Sequence, residues 1–152
     1  MKKKDIILIA NLRQNGRIPL TQLAKRTGIP PSTAFDRIKT NLNRAIKKFT
    51  ALLAPEEFGY NAKAYVLLKA NKLKKEELTN HLKFHPNVNG LWRINNGWNL
   101  MLECIFKNMK EVEDFVDELE KKFEIQNKEI NYVIEEIKRE TWLSDPNLIE
   151  FD

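Results

Sequence analysis

The stretch LTQLAKRTGIPPSTAFDRIKTNLNRAI, residues 20–46, decides how the first part of this chain folds. It begins as a short apolar helix that ends at Gly28, because glycine supplies the positive-φ residue that closes a helix. Ile29 follows as a buried anchor, and Pro30-Pro31 start a second helix, since proline pre-sets φ in a first helical turn. Two helices joined by a tight glycine turn are typical of a helix-turn-helix, whose second helix can lie in the major groove of DNA.

The second helix of this pair has one apolar side and several polar ones. Ala34, Phe35, Ile38 and Leu42 recur at near-helical spacing and predict the side that faces a core. The other sides carry groups that bind base edges and phosphates. We expect base or phosphate contacts near the helix start and phosphate contacts further along, from Ser32, Thr33, Asp36, Arg37, Lys39 and Thr40. The alternative for Arg37 is that it pairs with the neighbours of Asp36 or with the acidic face of the second module.

A wing is expected after this helix. Residues 46–53 alternate well enough to predict a strand, half of a wing hairpin, with Lys47 and Lys48 facing the phosphate backbone. We therefore assign residues 1–53 to a winged helix-turn-helix domain. Residues 54–61, which include Pro55 and Gly59, are interpreted as a hinge.

The charge distribution supports two modules. Residues 1–50 contain 12 Lys/Arg and 2 acidic residues, whereas residues 51–152 contain 14 and 19. The balance is therefore +10 in the first part and −5 in the second, although the whole chain carries only +5. A basic module of this size is typical of a polyanion-binding protein. A basic surface that is merely solvated is the alternative.

The second module alternates strand and helix signals. Apolar residues recur at every second position over 62–70, Asn95-Asn96-Gly97 predicts a hairpin turn, and Asn108 with Glu111 predicts a helix start. The order is β-α-β-β-α-β, so residues 62–140 are predicted to form a ferredoxin-like domain. The fold class is α+β, with strands at 62–70, 88–94, 99–106 and 128–137, helices at 74–84 and from 108, and a loose tail over 141–152.

Other classes of site are disfavoured. The single cysteine, Cys104, excludes a disulfide framework and a cysteine zinc cluster. His81 and His85 share a helical face but lack a motif for a third ligand, so we expect surface or interface histidines, no metal and no cofactor. No apolar run has the length of a membrane span, and no signal-peptide cleavage site follows the first residues; we expect a cytoplasmic protein without a membrane partner.

An ordered set of short segments distributed over about residues 4–140 resembles one family. The set comprises Asp5-Ile6-Ile7-Leu8, Asn15-Gly16-Arg17-Ile18-Pro19-Leu20, Leu23 to Ile29, Arg37-Ile38-Lys39, Phe49 to Tyr60 and Gly97-Trp98-Asn99-Leu100. Together with the domain order, it resembles the Lrp/AsnC family, the feast/famine regulators of bacteria and archaea. The resemblance implies a regulator that binds double-stranded DNA, forms dimers and often octamers, and binds an amino acid or related small effector between subunits.

Two segments depart from the pattern of that family. Asn43-Arg44-Ala45-Ile46 lacks the glycine that usually follows the recognition helix, and glycine allows backbone conformations that other residues resist. Asn99 replaces the usual aspartate, so a carboxylate that could engage an effector's ammonium group becomes a neutral amide. The resemblance implies an effector site at Asn96, Gly97, Trp98 and Asn99. A plain hairpin turn, with Trp98 covering an interface, is the alternative.

Two other functions remain open from the sequence. Sirohaem decarboxylases are similar to this family and use a second-module pocket rich in histidine and arginine. Arg93 lies beside the loop here, but the matching loop positions are Asn95 and Asn96, which disfavours an enzyme, and no catalytic residue is assigned. A paralogue that oligomerises but has lost tight DNA binding through its altered wing is the third candidate.

Overall fold

The structure, a computed structural model, describes residues 2–42 and 44–148, without the side chains of residues 41 and 42. The predicted core position of Leu42 and the last four residues of the predicted tail lie outside this description. The described residues form two compact units. One contains those of 1–52 together with those of 137–152, and the other consists of residues 53–136. No helix in the described ranges has the length and apolarity that a bilayer crossing needs.

The first unit is built on three helices: α1 (Lys3–Gln14), α2 (Leu20–Thr27) and α3 (Pro31–Leu42). Their apolar sides meet in a small core made by Leu8, Ile18, Leu23, Ile29 and Ala34. Ile38 packs against this core, but Phe35 is 53% exposed. The prediction that Phe35 faces the core is wrong, because it lies about 100° around the helix from Ala34, which occupies the centre of the buried side.

The expected wing strand is absent from the structure. Residues 46–54 form neither a helix nor a strand, and the first strand in the described part of the chain begins at Ala62. A strand needs a partner for its ladder of hydrogen bonds, and no neighbouring segment supplies one here. Phe49 lies beside Gly16, where a Cβ atom added to the glycine would be 3.8 Å from the ring. A short 3₁₀ turn, Pro55–Phe58, lies within the predicted hinge.

The second unit has the ferredoxin-like topology predicted from the sequence. Its elements in chain order are β1 (Ala62–Ala70), α4 (Lys75–Lys83), β2 (Val88–Arg93), β3 (Leu100–Phe106), α5 (Met109–Phe123) and β4 (Ile125–Tyr132). The strands form one sheet in the order β2-β3-β1-β4, and every neighbouring pair is antiparallel.

The two faces of this sheet have different environments. One face packs against α4 and α5 through alternate residues of β1 and β3, among them Ala64, Val66 and Leu102. The opposite face carries Trp92, Met101 and Leu67 side by side, because Trp92 pairs with Met101 and Met101 pairs with Leu67. We call this opposite side the open face. It is a partly apolar surface that α4 and α5 do not cover.

Strand β4 lies three residues earlier than predicted at its start and five earlier at its end. Glu124 adopts a left-handed conformation (φ 52°) directly after α5, so the chain reverses into β4 at Ile125. Pairing with β1 ends at Ala64 opposite Tyr132, close to where β1 itself begins. Beyond Tyr132 little of β1 is left for β4 to pair with. The prediction that β4 continues to Ile137 is therefore wrong.

The described part of the C-terminal tail is not loose. Arg13 of α1 makes three hydrogen bonds to it: Nε donates to the carbonyl of Trp142 (3.1 Å), Nη2 to the carbonyl of Glu140 (2.8 Å) and Nη1 to the Glu140 carboxylate (3.0 Å). A 3₁₀ turn at Pro146–Leu148 also lies near α1. The sequence pattern did not predict this packing because the bonded residues are 127 and 129 positions apart.

Candidate DNA-binding and effector sites

The turn between α2 and α3 has the geometry that the sequence predicts. Gly28 adopts the left-handed conformation (φ 66°) and its N–H donates to the carbonyl of Ala24, which ends α2. Ile29 is buried in the core, and α3 begins two residues later at Pro31. Because the turn is fixed at both sides, the position of α3 against α1 and α2 is determined by local chemistry and by core packing.

The solvent side of α3 holds most of the predicted DNA-binding residues. Ser32, Thr33, Asp36, Lys39 and Thr40 are all exposed. The hydroxyl of Thr40 donates to the carbonyl of Asp36 (2.8 Å), which leaves its oxygen available as an acceptor. The structure therefore brings five of the six predicted α3 residues onto one accessible helix.

Arg37 differs from these five residues. Its Nη1 lies 2.5 Å from Oδ1 of Asp5 in α1, and only 28% and 15% of the two side chains are exposed. The carboxyl of Asp5 is partly desolvated, which opposes its ionisation, but the hydrogen bonds from Arg37 and from the Lys2 N–H outweigh this and lower its pKa. This partner is neither a neighbour of Asp36 nor part of the second module, and a phosphate contact of Arg37 stays a prediction. No local pattern pointed to the partner, which lies 32 residues away.

Lys47 and Lys48 are exposed on the irregular segment 46–54 that follows α3. They are not on a wing hairpin, since the described residues contain no strand there. Their ammonium groups nevertheless lie in the basic unit, where exposed cationic side chains can contact a phosphate backbone.

The predicted effector loop is a tight hairpin turn between β2 and β3. Asn96 and Gly97 both have positive φ, 61° and 86°, which is typical of a type I′ turn. The Ile94 N–H donates to the carbonyl of Asn99 (3.2 Å) and closes the hairpin. Asn96 and Gly97 are exposed at the tip, whereas Trp98 is half-buried.

Asn99 has a structural role in the sheet. Its N–H donates to the carbonyl of Leu68 (2.9 Å), and its side-chain oxygen accepts a hydrogen bond from the N–H of Ala70 (2.8 Å). The side chain thus continues the β1–β3 ladder for one more bond past the last backbone pair. An aspartate could accept the same bond, so the change to asparagine preserves the fold and removes a negative charge beside the loop.

Two polar features were missed by the sequence analysis. The first surrounds Glu103, which is 6% exposed and accepts hydrogen bonds from Tyr65 (3.2 Å) and Asn89 (2.9 Å), with Lys63 Nζ at 3.5 Å. All four side chains come from adjacent strands of one sheet. The alternation of the strands could have predicted that Lys63, Tyr65 and Glu103 share a face. It could not predict the register that brings them into contact.

The second missed feature is a cluster of tilted rings in which His81 of α4 and His85, just after α4, pack against α5. The imidazole of His81 lies 5.1 Å from the ring of Phe123, and that of His85 lies 4.6 Å from Phe115. The two histidines pack on phenylalanine, and among the described residues no cluster of three or more His, Cys, Asp or Glu side chains could hold a metal ion. Burial lowers the pKa of both imidazoles.

Two family models match this chain over most of its length. The Lrp/AsnC ligand binding domain matches residues 63–143, which is half of the chain, and a winged helix-turn-helix DNA-binding domain matches residues 1–50. The chain belongs to the Lrp/AsnC family. Members of this family are transcription regulators that combine a DNA-binding domain with a ligand-binding domain, and this Lrp/AsnC protein has both.

Named relatives and solved structures agree with this assignment. The HTH-type transcriptional regulator FL11 of Pyrococcus furiosus is 32% identical over 114 residues, which cover 74% of this chain and 76% of that protein. A Neisseria meningitidis transcriptional regulator, solved in complex with L-methionine, has the same fold: the TM-score is 0.84 with 24% identity over 91% of this chain and 93% of that one. LrpC of Bacillus subtilis superposes with a TM-score of 0.82 and 18% identity. The match covers 91% of this chain and 97% of LrpC.

Proposed function

We propose that this Lrp/AsnC protein is a sequence-specific binder of double-stranded DNA that acts as a homo-oligomer in the cytoplasm. The observation that carries the proposal is the exposed polar side of α3, set by the Gly28 turn, in a unit with a strong excess of positive charge. Cationic side chains that replace condensed counterions on phosphates supply most of the affinity in such an interface.

Individual roles follow from position on α3. We assign Ser32, Thr33 and Asp36, near the start of the helix, to base edges or nearby phosphates, because the first residues of a recognition helix reach furthest into the major groove. Lys39 and Thr40 are assigned to phosphates, together with Lys47 and Lys48 on the irregular segment 46–54. Arg37 is proposed as a positioning residue that holds α3 against α1 through Asp5.

The open face of the sheet is the surface proposed for pairing two subunits. Leu67, Met101 and Ile105 are only half-buried on it, and Trp92 is exposed. Covering these apolar side chains with a second copy removes them from water, which favours association. Two copies related by a two-fold axis would present two recognition helices, and therefore prefer a palindromic operator.

The effector class proposed is an amino acid or a related small molecule. The Neisseria regulator of the same fold was solved with L-methionine, and the hairpin tip at Asn96, Gly97, Trp98 and Asn99 is the part of this chain that we assign to the site. The neutral Asn99 offers an ammonium group a weaker acceptor than a carboxylate would. An effector acts by favouring one assembly over another, and this requires a different affinity for the two.

We also propose that this protein is not an enzyme. The loop positions that would hold histidine in a sirohaem decarboxylase are Asn95 and Asn96, and Arg93 is paired with Glu76 (2.7 Å between Nη2 and Oε1). Neither amide can act as the acid or base that an imidazole supplies near neutral pH.

The decisive experiment is a gel-shift titration of the full chain on its own promoter DNA, with a scrambled fragment of equal length as competitor. We expect a shift that the scrambled DNA does not abolish. Light scattering on the same preparation, with and without a panel of amino acids, gives the size of the assembly. An oligomer that shifts no DNA at low salt would reject the proposal and select the paralogue that has lost DNA binding.

A further inference from the structure

The first unit is attached to the second at two places in the chain. It leaves through residues 46–54 and is rejoined by residues 137–148, which group with α1 rather than with the sheet. Each connection is anchored to both units by contacts, and the two differ in the number of residues between these anchors.

The first connection is long. Phe49 lies beside Gly16 in the first unit, and the next fixed point is Asn61, whose N–H donates to the carbonyl of Lys107 (3.3 Å). Twelve residue steps separate these points, and with the 3₁₀ turn Pro55–Phe58 intact the connection can extend to about 34 Å. A tether of this length barely restricts the separation of the two units.

The second connection is short. On the sheet side, the Val133 N–H donates to the carbonyl of Lys63 (2.9 Å), and the ammonium group of Lys63 contacts Glu136 at 2.8 Å. On the helix side, Arg13 holds Glu140. Only four residue steps separate Glu136 from Glu140, and these can extend to about 14 Å.

Arg13 anchors the short connection to α1 with all three nitrogens of its guanidinium. Three of its nitrogens bond two backbone carbonyls and one carboxylate, and the planar fork of arginine is required for this pattern. The tail is shaped to meet it, since Glu140 and Leu143 adopt left-handed conformations with φ of 52° and 57°. The Ser144 N–H and hydroxyl both bond the carbonyl of Thr141, which fixes the turn around Trp142.

We propose that Arg13, by holding Glu140 and Trp142 against α1, makes the C-terminal tail a second and shorter tether of the DNA-binding unit, and that this tether narrows the range of half-site spacings accepted in an operator. The spacing half of this inference rests on the proposed DNA-binding function. With the tether closed, the reach between the units is set by four residues. With it open, only the twelve-residue connection remains.

Distances within one chain test the tether without DNA. Lys25→Cys in α2 and Lys121→Cys in α5 place spin labels on exposed positions of the two units. The native Cys104 is buried and its pKa is raised to about 11, so its thiol resists labelling. Diluting the labelled chain with excess unlabelled chain leaves only within-chain pairs, and pulsed dipolar spectroscopy gives the distance distribution.

Four variants test whether the hydrogen bonds from Arg13 to Glu140 and Trp142, here called the clamp, restrict the distance between the labels. Arg13→Ala is expected to broaden the distance distribution about twofold, because the open tether is more than twice as long. Arg13→Lys is expected to broaden it as well, since one ammonium group cannot bond all three acceptors. Glu140→Pro opens the clamp from the tail, where proline cannot adopt positive φ. The matched control is Arg17→Ala, an exposed arginine just beyond α1, which should match the parent.

A series of synthetic operators, with half-site spacing changed one base pair at a time, tests the consequence. Arg13→Ala should bind a wider range of spacings than the parent or Arg17→Ala. Unchanged distance distributions in Arg13→Ala and Glu140→Pro would overturn the tether. A broadened distribution with unchanged spacing preference would overturn its role in operator choice. A parent that binds no operator would reject the proposed function, while the distances still decide the tether.

Discussion

The guanidinium of Arg37 in the recognition helix contacts the carboxylate of Asp5 in the first helix, with 2.5 Å between Nη1 and Oδ1. This ion pair joins α3 to α1 across the small core of the DNA-binding unit. It engages a cation that the sequence assigned to phosphate, on the helix that carries the other proposed DNA-binding side chains.

Replacing Asp5 with asparagine is expected to lower the free energy of unfolding by about 1 kcal/mol, because a partly buried charge pair is worth more than an exposed one. A double-mutant cycle with Arg37→Ala, measured by urea unfolding, isolates the coupling between the two residues. Asp36→Asn, a change of the same kind on an exposed carboxylate of α3, is the control and should have little effect. Additive effects of the two changes would contradict the supporting role of the pair.

The same pair predicts that the free energy of unfolding decreases at acid pH. Because the pKa of Asp5 is lowered from its ordinary value of 3.8, the unfolded chain binds this proton more readily than the folded one. The stabilisation is fully present above pH 3.8 and is lost as the pH falls through the lower folded pKa. Asp5→Asn should reduce the dependence of unfolding on pH in that window. Equal dependence in both proteins would show that the carboxylate titrates normally.

Asn99 allows the fold and the effector site to be tested separately. Asn99→Ala removes the acceptor of the Ala70 N–H and is expected to destabilise the second unit by about 1 kcal/mol. Asn99→Asp preserves the acceptor, so stability should change little, while a carboxylate beside the loop should strengthen amino-acid binding. Thermal unfolding and calorimetric titration with amino acids measure the two effects. Equal destabilisation by both variants would contradict the assigned hydrogen bond.

The cluster of tilted rings that contains His81 and His85 predicts a second pH effect on stability. Burial lowers the pKa of His81 and His85 below 6.5; Lys122 adds to the effect on His81, His81 adds to that on His85, and Glu118 opposes both. Their contribution to stability is therefore present above pH 6.5 and is lost as the pH falls through the folded values. A His81→Gln/His85→Gln variant should unfold with a smaller pH dependence as the pH falls below 6.5. An unchanged dependence would mean that other groups are responsible.

Gly90 in β2 leaves room for the indole of Trp92 on the open face, the surface proposed for subunit pairing. A methyl group at Gly90 would overlap the indole of Trp92, so the ring must leave its place over the strand. Gly90→Ala is expected to weaken self-association through the open face, measured as a higher dissociation constant by light scattering over a dilution series. Gly16→Ala, where the nearest atoms are 3.8 Å away, is the control. Self-association that survives Gly90→Ala unchanged would place the subunit interface elsewhere.

The sequence predicted those features that depend on neighbouring residues. The Gly28 turn, the type I′ turn at Asn96-Gly97 and the cap of α5, where the Glu111 N–H donates to Asn108 Oδ1 at 3.0 Å, are all local and all observed. Strand alternation predicted the topology of the second unit. These features follow from backbone preferences and short-range hydrogen bonds.

Features that depend on distant partners were missed or misplaced. The partner of Arg37 lies in another helix, and the partners of Arg13 lie 127 and 129 residues away. The end of β4 is set by where β1 begins, and the segment with Lys47 pairs with no described strand. Alternation predicts that a segment can pair, but whether it does depends on what tertiary structure places beside it.

The salt dependence of DNA binding tests the central claim most directly. The logarithm of the binding constant of the full chain on promoter DNA is measured against the logarithm of salt concentration. The Lys39→Ala/Lys47→Ala/Lys48→Ala variant is compared with a control that removes three exposed lysines of the second unit, Lys83, Lys121 and Lys122. We predict a steep slope for parent and control, reduced by about 1 for each phosphate-contacting lysine in the variant. Three parallel lines would contradict the claim that this basic unit holds the DNA.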